Sequence, residues 1–77
     1  MTPTTLDPAK RTLETMAAQG WARFHDGDEA GVPSPVLTLL RHALHALEDH
    51  IDYGTGDRAE CVIAVAQASA VVGRWIA

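Results

Sequence analysis

The apolar and polar positions divide this chain into three segments of different character. Between positions 35 and 52, Val36, Leu37, Leu39, Leu40, Ala43, Leu44, Ala46, Leu47 and Ile51 project onto an arc of about 180° at ~100° per residue. Thr38, Arg41, His42, His45, Glu48, Asp49 and Asp52 fill the other half, the pattern of an amphipathic helix with one buried face. Between 58 and 75 the apolar residues run almost all the way round. Cys61, Val62, Ile63, Val65, Val71, Val72 and Trp75 leave only Glu60, Gln67 and Arg74 as a polar line, spaced by heptads. Near the start, Ala9, Leu13, Met16 and Ala17 form a narrow stripe among Lys10, Arg11, Thr12, Glu14 and Thr15, which predicts a surface helix packed on one side.

Capping residues place the ends. Asp7-Pro8 and Ser34-Pro35 each put a helix N-cap residue before a proline at the first helical position, where the missing N–H costs nothing. Gly20 suits the left-handed residue that closes a helix, and Gly54 does the same for the second. Asp57 with Glu60 three residues on resembles a capping box. The pattern therefore predicts helices over about 8–19, 35–52 and 58–75, after a flexible leader at 1–6. Between Gly20 and Pro33 lies a connection longer than usual, with an acidic loop at 25–33; Trp21-Ala22-Arg23-Phe24 fits either a short extended piece or a last helical turn that aligns Phe24 with Leu13. The link 53–57 is short enough to fold the third helix back against the second. The expected fold is all-α: one domain over 1–77, a small three-helix bundle with helices two and three as an antiparallel hairpin and helix one packed across them.

Size sharpens the meaning of the third helix. A 77-residue chain buries only about 60% of the surface its unfolded form exposes, so small domains lean on disulfides, metals or partner chains. Cys61 is the one cysteine, which excludes an internal disulfide. Two helices cannot cover an all-round apolar third, so the side carrying Ile63, Ala70, Val71 and Trp75 is expected to meet a protein partner or a second copy of the chain. Its length and the interruptions at Gln67, Ser69 and Arg74 argue against a membrane span. With no secretory signal pattern either, a cytoplasmic location is expected.

Ten acidic residues against six basic ones give a net charge of −4, which argues against binding a nucleic-acid backbone. A helix-turn-helix needs basic and amide side chains on an exposed recognition helix, and neither later helix offers them. Instead Asp26, Asp28 and Glu29, with Glu48, Asp49 and Asp52, would make one acidic face if the loop folded over that end of helix two. Such a face suits docking on a basic protein surface. Five arginines to one lysine, no asparagine and abundant alanine fit a GC-rich bacterial or phage genome.

Candidate chemistry is thin. Asp26, Asp28 and Gly31 match the first, third and sixth places of an EF-hand loop, but Ala30 and Leu37 stand where ligands are needed. His42, His45 and Asp49 share one side of helix two and make a weak metal candidate, with His25 and Asp26 able to approach from the loop. His50 falls inside the apolar arc, near the end of helix two, where an imidazole can bond free carbonyls. Cys61, with Arg58 one turn away, reads as a small core residue before it reads as a nucleophile. No nucleophile–base pair or phosphate loop is present, and no cofactor is implied. The sequence therefore predicts a non-enzymatic acidic interaction module that occludes or organises another protein. By size and charge it is analogous to mobile-element inhibitors of host defence complexes, anti-CRISPR proteins among them. The alternatives are a metal-binding or catalytic subunit built on His42, His45 and Asp49, or a structural subunit of a larger helical assembly.

Overall fold

The computed structural model describes residues 8–77. Among these there are three helices and no strand: α1 (Pro8–Ala30), α2 (Ser34–Tyr53) and α3 (Arg58–Ile76). Each helix packs on both others, α2 with α3 most extensively, so the fold is the expected all-α three-helix bundle. The Asp7 cap and the leader at 1–6 lie outside the described residues.

The first helix differs from the sequence expectation. It does not stop at residue 19; it continues through Gly20 and the acidic stretch to Ala30, a single element of 23 residues. The acidic loop expected at 25–33 is therefore helical to residue 30, and the true connection is only 31–33. Residues 21–25 are helix. Gly20 is not a terminator but a point of close approach, where an added Cβ would collide with the Leu44 side chain of α2. Gly27, one heptad on, repeats the device: a Cβ there would come within 2.9 Å of both Leu37 and Val72. Two glycines inside a helix each cost about 1 kcal/mol in propensity, and here the close packing they permit offsets it.

The helix ends at Gly31, whose φ of 81° is the left-handed conformation glycine tolerates. Its N–H bonds the Asp28 carbonyl at 3.2 Å, and the next N–H, of Val32, reaches back to the Gly27 carbonyl at 2.9 Å. That pair of bonds is a Schellman cap, and the buried Val32 side chain closes it by packing over Gly27. The start of α2 follows at once and also shifts by a residue. Pro33, not Ser34, is the N-cap, and its carbonyl accepts from the N–H groups of Val36 and Leu37 at 3.0 and 3.2 Å with no side-chain cap.

The α2–α3 hairpin follows the expected signals. Gly54, at φ 73°, closes α2 by donating its N–H to the His50 carbonyl at 2.9 Å. Asp57 caps α3, its carboxylate accepting the Glu60 N–H at 3.0 Å. His50 ties the link together. Its Nδ1 lies 3.0 Å from the Thr55 carbonyl, and Arg58 Nε donates to its Nε2 at 3.4 Å, a pair of contacts that the Nδ1-protonated tautomer satisfies.

The core is a single seam of buried residues, with Leu13 and Ala17 from α1, Leu37, Leu40, Ala43, Leu44 and Leu47 from α2, and Cys61, Val65 and Val72 from α3. No polar or charged side chain is buried among the described residues. The contribution of α3 is small: three buried side chains from 19 residues.

Candidate interaction surface

The register of α3 sorts its side chains into two faces. Cys61, Val65 and Val72 point into the bundle, flanked by the half-buried Val62, Ala68 and Ser69. On the opposite side Ile63 is 53% exposed, and Ala66, Gln67, Ala70 and Arg74 are exposed with it. Trp75 lies 58% exposed near the C-terminal end. Of the four apolar residues singled out from the sequence, Ile63, Ala70 and Trp75 are thus exposed, while Val71 is half-buried at the edge of the face. The polar line Glu60, Gln67 and Arg74 runs down the middle of this surface.

One contributor lay outside the sequence expectation. Leu39 of α2, which the hydrophobic arc assigns to the core, is 62% exposed. It lines an open apolar groove between α2 and α3 with Ala43, Ala64, Gln67, Ala68 and Val71. The signal for it was the width of the arc: Leu39 sits at one edge, farther round α2 than its two neighbours reach. The groove and the exposed side of α3 are continuous, because Gln67 and Val71 belong to both. At 19 residues, mostly apolar and little buried, α3 also has the length and composition to cross a membrane. The length of α3 does not by itself exclude a span.

The proposed acidic face is not assembled. A hydrogen bond of 3.0 Å from Trp21 Nε1 to Glu48 Oε2 sets α1 and α2 in register. Asp28 then lies near Arg41, with which it lines a shallow pocket, whereas Asp52 lies beside Ala17 and Ala18. Ala17 and Asp28 are 11 residues apart on α1, about 16 Å at the helical rise, so the two acidic sets occupy different levels of the bundle. Asp26, Asp28 and Glu29 project from the last turns of α1 into solvent; Asp49 and Asp52 are exposed on α2. The carboxylate of Glu48 is engaged, with His45 Nδ1 3.4 Å from its second oxygen. The physical reason is the continuity of α1, which leaves no loop to fold over.

That continuity also builds an aromatic cluster on the α1–α2 seam. Trp21 packs edge-to-face on Phe24 and His45, with ring centroids 5.5 and 5.3 Å away, and His25 packs edge-on against Phe24 at 5.8 Å. These contacts give Trp21 a structural role. His42 and Asp49 remain exposed and His45 turns to Glu48, so the weak metal candidate does not converge. Among the described residues no three His, Cys, Asp or Glu side chains gather closely enough to hold a metal ion. Cys61 is buried with its thiol 3.7 Å from the Ala46 carbonyl, and Arg58 is turned toward His50. Comparison with protein-family models, with curated proteins and with solved structures returns no match.

Proposed function

We propose that this protein is a non-catalytic helical interaction module whose working surface is the outer face of α3 with the adjoining Leu39 groove. The observation that carries this reading is the exposure of Ile63 and Trp75 on a helix that commits only Cys61, Val65 and Val72 to its own core. Large apolar side chains left exposed on a small domain mark an interaction site, and here Ile63 and Trp75 flank Gln67 and the groove at opposite ends of α3; tryptophan is enriched among the residues that anchor such sites. Occlusion or organisation of another chain is the mode this surface suits. Mimicry of a nucleic acid is not, because the acidic residues fall into two separate sets.

Capture with the tagged full chain, comparing wild type with the I63E/W75E variant and with D26K/D28K/E29K, tests the reading. Loss of the bound chain in I63E/W75E and its retention in D26K/D28K/E29K is the expected result. The reverse pattern would overturn it and assign binding to the acidic residues.

A further inference from the structure

The polar line on α3 has a symmetry of its own. Glu60 and Arg74 each lie seven residues from Gln67, one on either side. They are separated by 14 residues, about 21 Å along the axis, so they are too far apart to pair within one helix. Neither makes an ion pair with any other described residue. We infer that α3 pairs antiparallel with α3 of a second copy of this chain, about a two-fold axis passing at Gln67.

That axis matches each residue with the one whose number brings the sum to 134. Glu60 then faces Arg74 of the second copy, and Arg74 faces the second copy's Glu60, giving two opposite-charge pairs from one symmetric contact. Gln67 meets its own symmetry mate, and a primary amide, with both donor and acceptor, is complementary to itself. Ile63 comes level with Val71 of the second copy and packs on its own side of the seam against the second copy's Ala70, while on the other side Val71 meets the second copy's Ala64, where the two Leu39 grooves lie next to each other. The bulky Trp75 falls opposite Ala59, and Ala64 opposite Ala70. All of the matched positions 60, 63, 64, 67, 70 and 74 are exposed, and Val71 is half-buried. Antiparallel pairing also sets the positive N-terminal end of each helix dipole beside the negative end of the other.

The same three polar residues distinguish this occupant from a lipid bilayer. In a bilayer Gln67 would lie at mid-depth without an amide partner, and Glu60 and Arg74, near the two ends of α3, would reach the headgroups unpaired. Against a second copy all three are matched. The inference rests on the interaction-module reading and deepens it by naming the partner.

Sedimentation equilibrium of the full chain from ~1 µM to ~1 mM tests it. The expected result is a concentration-dependent shift from 8.3 kDa toward twice that mass. E60R and R74E should each weaken association about tenfold, because each replaces two attractive pairs by two repulsive ones. The charge-swapped E60R/R74E should recover wild-type association to within about threefold. Circular dichroism melts of each variant at the lowest concentration separate loss of pairing from loss of fold, and the milder E60Q and R74Q serve if the reversals unfold the chain. A dimer that the double swap does not restore overturns the Gln67-centred register. A monomer at every concentration overturns self-pairing while leaving the module reading to the capture experiment, which reports on foreign partners. Co-sedimentation of wild type, but not I63E/W75E, with phosphatidylcholine–phosphatidylglycerol vesicles would overturn both in favour of a membrane.

Discussion

Gly20 of α1 leaves the space that the fully buried Leu44 of α2 occupies. The two helices meet there more closely than any side chain would allow. Gly20→Ala should therefore destabilise the fold by about 1–2 kcal/mol in urea titration, although alanine is the better helix former, because overpacking outweighs the propensity gain of about 1 kcal/mol. In a Leu44→Ala background, itself costing ~2–5 kcal/mol, the sign should invert and Gly20→Ala should stabilise. A substitution that destabilised equally in both backgrounds would mean that Leu44 is not what limits the space.

Gly31 presents the opposite case. Nothing lies within 4 Å of where its Cβ would be, so only its positive φ resists a side chain. Gly31→Ala should cost about 1–2 kcal/mol, and Gly31→Asn clearly less, since asparagine enters the left-handed region more readily. Thermal melts of the two variants side by side give the comparison.

The Trp21–Glu48 hydrogen bond is half-buried at the α1–α2 seam. Glu48→Ala should lower stability by about 0.5–1.5 kcal/mol. In a Trp75→Phe background, where Trp21 is the sole tryptophan, its emission should also move to the red as the indole N–H turns to water. Unchanged emission would place the indole free of Glu48 in solution.

Asp57 accepts the Glu60 N–H at the start of α3. Asp57→Ala should cost about 1 kcal/mol, and Asp57→Ser should recover most of it. Because so few α3 side chains are buried, hydrogen exchange in its first turn is the sensitive readout.

Ile63 and Val65 sit two residues apart on opposite faces of α3. Dilute enough for the chain to be monomeric, Ile63→Ala should change stability by less than about 0.5 kcal/mol, while Val65→Ala should cost about 2 kcal/mol. Equal effects would contradict the two-faced assignment of this helix.

Much of the fold was legible because each signal had one meaning. The period of α2, the Gly54 stop and the Asp57–Glu60 start all act locally, and the structure keeps them. Gly20 was not legible, because glycine has two physical uses. It permits a positive φ, and it lets backbones approach, and only the neighbouring helix decides which applies. A cue to the second use was present: Leu13, Gly20 and Gly27 are spaced by heptads, with Ala17 and Phe24 between them, so the stripe of α1 continues with glycine in place of larger residues. The exposed side of α3 was legible because its excess of apolar residues exceeds what two neighbours can cover. Leu39 was not, since a periodic pattern shows which side of a helix is apolar but not how far round it the neighbouring helices extend.

Cys61 gives this molecule a built-in gauge. The thiol is buried against the Ala46 carbonyl and is shielded from reagents only while α3 stays seated on α2. A slow alkylating agent must then wait for the helix to lift away, and the modification rate, divided by that of the unfolded chain, is the equilibrium constant for that lifting. The lone thiol thus turns the seating of α3 on α2 into a measurable opening equilibrium. Any chain that clamps the outer face should slow the chemistry at the inner one.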